Sequence, residues 1–329
     1  MKIIWSSPKH RDLIFLLFVV GCGAAAALTN YGGVGLINPE GTAELIGRIV
    51  RGTADSPYRY RILVPHLIQG LSLLVHPDGV TGLAAAWFAY WLLAYQLLFL
   101  AVYRVLRIWF SPFLSLVGIL IMSVSVQVTI DGTFQPWTVL EAGLYALALL
   151  AIYYQKKWIL LVILVAATLN RETGCFIVLF FFVQQVRLRW PFMSRQNWIW
   201  TAVYAVTWTG IYGGLRLWLG NAQTSTSIAE AFANNISIFH LASFGMRAGL
   251  FLGVYWFFVY KGWATAPGFI RRAWLAVPVY LAFIFVFGVW REVRLLMPLY
   301  PILIPTGLGF LGKAGDLMGS GEPGDLEVN

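Results

Sequence analysis

The feature that most constrains this chain is a succession of apolar blocks that recurs from residue 13 to residue 311. Only 11% of the 329 residues are charged, whereas a soluble domain carries about 25%. A chain with so little polar surface cannot cover a soluble core. About 20 consecutive apolar residues are enough for a helix to cross a bilayer. The sequence therefore predicts an all-α polytopic membrane protein.

Ten of these blocks are candidate spans, and an even number places both termini on the same side of the membrane. We expect a single transmembrane domain over residues 1–312 and a flexible cytoplasmic tail over 313–329. Residues 31–81 form a long first external loop, which is predicted to carry two interfacial helices, one over "EGTAELIGRIV" and one over "PYRYRILVPHLIQGLSLLV". The candidate spans are 13–30, 82–103, 112–129, 137–154, 157–170, 174–186, 197–219, 246–260, 273–290 and 295–312.

The segments between the spans differ in which basic residues they carry. All six lysines fall in alternate connections, and cytoplasmic loops are the ones enriched in Lys and Arg. We therefore predict a plasma (inner) membrane protein with both termini in the cytoplasm. The net charge of +9 is spread along the chain rather than gathered in one patch, so no nucleic-acid partner is expected. The opposite face carries only arginines, which are Arg48, Arg51, Arg59, Arg61, Arg171, Arg216, Arg247, Arg291 and Arg294.

An outer face with arginine and no lysine favours recognition of an anion, because the guanidinium group offers a planar fork to phosphate or carboxylate. The stretch "LNRETG" at 169–174 places Arg171 and Glu172 between two apolar runs. Two short helices that meet there keep both flanking basic clusters in the cytoplasm. Their junction is then expected in a recess lined by protein or water, where irregular backbone is tolerated. A ligand role and a structural ion pair remain equally open for these two residues.

Further charged residues fall on the same predicted face. Glu40 and Glu44 lie one turn apart on one side of the first interfacial helix, Asp131 lies in "VTIDGTFQPW", and Glu141 follows within the next helix. The last such stretch, "WREVRLLMPLYP", adds Arg291, Glu292 and Arg294. Loops so far apart in sequence can meet only around one outward-facing hollow. A positioned carboxylate can then take a proton from a hydroxyl, while arginines stabilise charge on a departing phosphate.

These stretches resemble the GT-C-fold polytopic glycosyltransferases, which use polyprenyl-phosphate sugars. The resemblance is carried by the long first external loop, by "NPEGTAELI", by "PYRYRILVPHL" and by "NRETG", with a weaker echo in "REVRLLMPLYP". It covers residues 13–186 best. The family's acidic residue after the first helix corresponds to Glu40, although that residue is Asp in many relatives. The resemblance implies a GT-C-like fold and inverting transfer of a sugar to a lipid or envelope-glycan acceptor.

In this reading the catalytic candidates are Glu40, Glu44 and Asp131. The substrate-binding candidates are Arg59, Arg61, Arg171, Glu172, Arg291 and Arg294. The partners are a polyprenyl-phosphate lipid donor, membrane lipids and an envelope-assembly protein. No cofactor or metal cluster is expected, although acidic residues beside phosphate leave a divalent ion open. Two alternatives are a non-catalytic transporter or flippase for an anionic lipid-linked substrate, and a scaffold without activity.

Overall fold

A computed structural model describes residues 8–31, 39–75, 79–129, 136–187, 192–220, 228–289 and 292–314. All the regular secondary structure in these ranges is helical, and they contain no strand. The predicted all-α class is therefore confirmed for the described part of the chain. The tail predicted over 313–329 lies almost wholly outside it.

The described ranges contain fifteen α-helices and four short 3-10 segments. The 3-10 segments are Tyr58–Tyr60, Glu172–Gly174, Trp274–Ala276 and Val293–Leu299. The α-helices are α1 (Pro8–Asn30), α2 (Pro39–Val50), α3 (Leu63–Val75), α4 (Gly79–Leu106), α5 (Pro112–Thr129), α6 (Trp137–Tyr153), α7 (Lys157–Asn170), α8 (Cys175–Gln185), α9 (Arg195–Leu219), α10 (Ile228–Ile236), α11 (Ile238–Leu252), α12 (Tyr255–Gly262), α13 (Gly268–Ala273), α14 (Val277–Phe287) and α15 (Tyr300–Ala314).

Five helical stretches among the described residues are long and apolar enough to cross a membrane, and a bent pair would make a sixth. The five are Asp12–Asn30, Gly82–Leu106, Pro112–Thr129, Gly268–Phe287 and Val293–Lys313. Helices α6, α7 and α8 are apolar but shorter than this. The chain is thus a helical protein suited to a membrane. Helices lie at all ten predicted positions, but not all of them have the length of a full span.

Helix α6 lies at the centre of the bundle. It packs against α4, α7, α8, α15 and the Val293–Leu299 segment. Its side chains are buried around almost the whole circumference, from Trp137 to Ile152. A helix that is apolar on every side has no solvent face and belongs inside a larger assembly of helices. Glu141 is the one acid in this helix, and it is only 2% exposed.

The structure differs from the prediction between residues 220 and 262. The predicted spans leave residues 220–245 as a connection and make 246–260 one span, but α10 and α11 occupy much of that connection. Helices α11 and α12 are bent by 81° relative to each other. The bend falls at Gly253, whose φ of 53° is in the left-handed region that favours glycine. No single straight helix therefore covers 246–260.

One end of the bundle, here named the lysine end, gathers the basic side chains of alternate connections. There the starts of α7 and α9 meet the end of α8. The Nζ of Lys157 donates to Oδ1 of Asn197 (3.4 Å), and Nδ2 of Asn197 donates to Oε1 of Gln185 (2.7 Å). The lysine end is defined by Arg104, Arg107, Lys156, Lys157, Arg195, Lys261, Arg271, Arg272 and Lys313.

The opposite end, here named the arginine end, has no lysine among the described residues. There the end of α9 meets the first loop, because the hydroxyl of Tyr60 donates to the carbonyl oxygen of Gly220 (2.9 Å). The middle of α4 meets the start of α6, because the hydroxyl of Tyr90 donates to the carbonyl oxygen of Pro136 (2.7 Å). The arginine end is defined by Arg48, Arg59, Arg61, Arg171, Arg216 and Arg294.

Candidate functional site at the arginine end

The first ion pair of the arginine end joins the first loop to the junction of α7 and α8. Arg61 follows the Tyr58–Tyr60 turn, and its guanidinium group meets the carboxylate of Glu172 with both prongs. The Nη2–Oε1 distance is 2.6 Å and the Nε–Oε2 distance is 3.3 Å. The Arg61 side chain is 6% exposed and that of Glu172 is 27% exposed. A two-pronged contact fixes the plane of the guanidinium group as well as its position.

The second ion pair lies deeper, between the same junction and the central helix. The Nη1 of Arg171 lies 2.6 Å from Oε2 of Glu141, and the two side chains are 8% and 2% exposed. The hydroxyl of Thr173 donates to the other carboxylate oxygen of Glu141. The hydroxyl of Tyr145 in turn donates to the carbonyl oxygen of Thr173 (2.6 Å). A charge buried this deeply is stable only when paired and hydrogen-bonded, and Glu141 has both.

Arg171 and Glu172 are neighbours in sequence, yet they pair with different parts of the molecule rather than with each other. The backbone of Arg171 is extended, with φ −158° and ψ 151°. In an extended backbone, successive side chains point to opposite sides. Arg171 can therefore turn inwards to α6 while Glu172 turns to the first loop. The α7–α8 junction therefore connects α6 to the first loop through two ion pairs.

Hydrogen bonds to the backbone complete this arrangement. The indole nitrogen of Trp137 donates to the carbonyl oxygen of Arg61 (3.2 Å), and Nδ2 of Asn170 donates to that of Trp137 (3.0 Å). The indole nitrogen of Trp208 in α9 donates to the carbonyl oxygen of Glu172 (3.2 Å). Four elements of distant sequence are thus fastened around the two ion pairs.

A third ion pair comes from the segment before α15. Arg294 pairs with Glu292 two residues earlier, and their side chains are 6% and 35% exposed. The guanidinium group of Arg294 is close enough to that of Arg171 to be repelled by it. The three ion pairs therefore belong to one electrostatic cluster, here named the arginine cluster: Arg61, Glu141, Arg171, Glu172, Glu292 and Arg294.

Two more arginines border the arginine cluster. Arg59 lies in the same turn as Tyr60, and its Nε is buried without a hydrogen-bond partner. The guanidinium carbon of Arg216 lies 3.7 Å from the ring centre of Tyr212 and 4.4 Å from that of Tyr60. Aromatic faces attract a guanidinium cation. In these contacts two tyrosine rings, rather than a carboxylate, position the guanidinium group of Arg216.

The ionisation of Glu172 is set by its neighbours. Glu172 lies in the turn between α7 and α8, outside both helices. Burial by itself raises the pKa of a carboxyl group, but the Arg61 guanidinium opposes it and lowers the pKa of Glu172 to about 2. A carboxylate with so low a pKa is a poor proton acceptor near neutral pH. Glu172 is therefore suited to hold Arg61, not to act as a general base.

The structure brings together only some of the residues named as candidates from the sequence. Arg61, Arg171, Glu172 and Arg294 meet in the arginine cluster, and Arg59 borders it. Glu40 lies in the first turn of α2, and Glu44 is exposed on the same helix. Asp131 and Arg291 lie outside the described residues. Arg48, expected on the same face as Glu44, pairs with Asp55 at 3.0 Å.

The sequence-based site omitted Glu141, although it is the most deeply buried acid of the cluster. An acidic residue one turn inside an apolar helix was the available signal, because intramembrane carboxylates are paired or functional. Thr173, Tyr145 and Trp208 carried no comparable signal. Their polar atoms became important only through the contacts of the folded chain.

Two surface cavities, of about 480 and 350 Å³, open at the lysine end. Lys261 contributes to the larger and Lys156 to the smaller. Neither corresponds to the outward-facing hollow expected beside the arginines. Within the described ranges, no group of three or more His, Cys, Asp or Glu side chains is arranged to hold a metal ion.

No protein-family model matches the chain, and neither a curated protein nor a solved structure matches it. Inference about function therefore depends on the residues and their geometry.

Proposed function

We propose that this chain is an integral-membrane glycosyltransferase of the GT-C type. In this proposal a sugar moves from a polyprenyl-phosphate donor to a lipid or envelope-glycan acceptor at the arginine end. The observation that carries the proposal is the arginine cluster itself. Guanidinium groups from three distant segments are held in fixed orientations beside a partly exposed edge, and Arg59 borders them without a bond to its Nε.

Arg59 and Arg61 are the proposed contacts to the donor phosphate. Glu172 occupies two of the five N–H donors of Arg61. In this proposal the remaining donors bind a phosphate oxygen, and Glu172 holds the guanidinium group in a fixed orientation. Arg171 is 7% exposed and bonded to Glu141, so its proposed role is to position the junction and to add positive potential. Arg294 and the undescribed Arg291 would contribute to the same potential.

The general base is proposed to come from α2. This helix packs against the Tyr58–Tyr60 turn that carries Arg59, which supports a place beside the donor for Glu40 or Glu44. Asp131 remains the third candidate. The carboxylate takes the proton of the acceptor hydroxyl, and the oxygen forms the new bond to the anomeric carbon. The bond from that carbon to the phosphate oxygen breaks on the opposite face, and polyprenyl phosphate leaves with the electron pair.

The finer topology also belongs to this proposal. Ten apolar segments cross or enter the membrane, with the lysine end and both termini in the cytoplasm of a cell bounded by a plasma (inner) membrane. Helix α7 has 14 residues, or about 21 Å at 1.5 Å per residue. That is shorter than a hydrocarbon core of about 30 Å. The α7–α8 junction therefore sits below the outer surface, within reach of a lipid-borne phosphate.

The test of topology uses single cysteines in a variant that lacks Cys22 and Cys175. Glu44→Cys and Lys156→Cys place a thiol on exposed positions of the two ends. A membrane-impermeant maleimide added to intact cells is expected to label the first and spare the second. Labelling of both, or of Lys156→Cys alone, would overturn the orientation.

The test of activity uses the full chain in liposomes with a panel of polyprenyl-phosphate sugars, and it measures release of free polyprenyl phosphate. Arg61→Lys keeps the charge but removes the fork and is expected to lower release at least tenfold. Glu40→Gln, Glu44→Gln and Asp131→Asn are expected to identify the base, because only one of the three should abolish release. Arg271→Gln, at the lysine end, is the control and should leave release unchanged. Full activity in Arg61→Lys would remove the arginine cluster from the mechanism.

A transporter for an anionic lipid-linked substrate is the second candidate. The 81° break between α11 and α12 favours it, because broken helices are common at transporter binding sites. The same liposomes separate the two functions. Movement of an intact labelled lipid to the opposite leaflet without release of polyprenyl phosphate would identify transport.

A further inference from the structure

The smaller cavity at the lysine end has the composition of an anion site. It measures about 350 Å³ and is lined by Gln155, Lys156, Lys157, Trp158, Ile159, Gln196 and Trp200. This volume falls within the range of about 300–1,000 Å³ that is usual for small-molecule sites. Its polar lining supplies ammonium and amide donors without a carboxylate.

Among the described residues, no ion pair joins Lys156 or Lys157 to a carboxylate. Between residues 142 and 229 the sequence contains a single acidic residue, Glu172. That residue is bonded to Arg61 at the opposite end of the bundle. Lys156 is exposed, so its ammonium group is available to an incoming anion. The segment around Lys156 and Lys157, whose single acid lies at the opposite end of the bundle, therefore favours a positive potential at the mouth of the cavity.

The helices add to that potential. Helix α7 begins at Lys157 and α9 begins at Arg195, and both starts flank the cavity. The start of a helix carries a partial positive charge. The bond from Lys157 to Asn197 ties the two starts together, and the hydroxyl of Tyr204 donates to the carbonyl oxygen of Lys157 (2.9 Å). The cavity is therefore built on fixed backbone.

The aromatic and apolar side chains around the cavity favour an anion that carries an acyl chain. Trp158 and Trp200 meet edge to face with ring centres 4.9 Å apart, and Trp is the residue typical of the headgroup level of a bilayer. Below the cavity, α7 presents a column of apolar side chains to the outside: Trp158, Ile159 and Val162 are 70%, 55% and 69% exposed. An acyl chain can lie along this column while its phosphate occupies the cavity.

The geometry points to a binding site for the headgroup of an anionic phospholipid between α7 and α9, with Lys156 and Lys157 as the phosphate contacts. Basic pockets between transmembrane helices are known to take anionic headgroups. This site is separate from the arginine cluster, and it requires no catalytic activity. A soluble phosphate would use the lysines alone, whereas a phospholipid would also use the tryptophans and the apolar column.

Native mass spectrometry of the full chain in detergent, with added phosphatidylglycerol, tests the site. Lys156→Gln/Lys157→Gln is expected to weaken phosphatidylglycerol binding about 30-fold, since each basic residue near the surface contributes about fivefold. Arg271→Gln/Arg272→Gln is the matched control, because it removes two exposed charges from the same end. It should leave binding unchanged. Phosphatidylcholine binding should be the same in all three proteins.

Equal loss in the lysine and arginine variants would overturn the site, because it would reflect net charge alone. Full competition by millimolar inorganic phosphate would also overturn it in favour of a soluble anion. If the double variant does not fold, Lys156→Gln alone decides, because Lys156 is exposed. That variant is expected to weaken phosphatidylglycerol binding about fivefold, and unchanged binding would refute the proposal.

Discussion

Both ends of the helix bundle carry basic residues, but they hold them in different ways. At the arginine end, Arg61, Arg171 and Arg294 are buried, and each is paired with a carboxylate. At the lysine end, Lys156, Arg271 and Arg272 are exposed. Buried charges require partners of opposite sign, whereas exposed charges are stabilised by water.

The difference in burial indicates that the exposed and the buried charges have different roles. Exposed lysines that follow apolar helices orient the chain in a membrane and attract anionic lipid. Buried ion pairs do not orient a chain in this way, and they are expensive to desolvate. Their retention at the arginine end is better explained by the fixed geometry that they impose. The following predictions test whether this contrast holds.

The largest effect is expected from the deepest ion pair. Glu141→Gln keeps the shape of the side chain but leaves the charge of Arg171 buried without a counterion. We expect the free energy of unfolding to fall by about 3–5 kcal/mol. Unfolding in detergent micelles, followed by tryptophan fluorescence, measures the change. The double variant Glu141→Gln/Arg171→Gln should regain a large part of the loss. A single-variant loss below about 1 kcal/mol would show that the pair is not buried as described.

The second effect concerns how the lysine end is held together. Helix α12 approaches α15 so closely that a Cβ at Gly262 would overlap the carbonyl oxygen of Thr306. Gly262→Ala should therefore destabilise the protein by about 1–3 kcal/mol or more. Gly210→Ala in α9 is the matched control, because a Cβ there meets nothing within 4 Å. It should be neutral or slightly stabilising. Equal free energies of unfolding for the two variants would mean that the close packing of α12 against α15 does not stabilise the lysine end.

A smaller effect is expected from the partly exposed ion pair. Glu172→Gln removes the charge that aligns Arg61, and a hydrogen bond to a charged group contributes about 1.5–3 kcal/mol. The exposure of Glu172 (27%) places the expected loss at the lower end of that range. Under the proposed function, the variant should lower donor affinity more than stability. A loss of unfolding free energy as large as that of Glu141→Gln would contradict the assignment of Glu172 as the less buried of the two carboxylates.

The smallest effect is expected from the exposed pair of Arg48 and Asp55, whose side chains are 37% and 56% exposed. Asp55→Asn should change the free energy of unfolding by less than about 1 kcal/mol, and 1 M salt should remove most of the change. A larger loss that persists at high salt would show that the first loop contributes more to the fold than its exposure indicates.

Much of the fold could be predicted from the sequence because hydropathy and loop charge are local properties. Helices lie at all ten positions named from the apolar blocks, and α2 and α3 lie in the first loop as expected. The prediction was wrong between 220 and 262, where α10 and α11 occupy much of the connection between two predicted spans. The polar composition of that connection does not exclude a helix. Asn235 illustrates this point. It lies in α10, where its amide donates to the carbonyl oxygens of Phe285 and Gly288.

The sequence by itself determined that this chain is helical, that it has the apolar content of a membrane protein, and that its lysines fall in alternate connections while the other connections carry arginine alone. Those properties follow from residue type and spacing. Only the tertiary structure decided that Arg171 pairs with Glu141 and that Glu172 pairs with Arg61. Ion pairing depends on distances of a few ångströms between side chains 30 and 111 positions apart, and no local pattern specifies them.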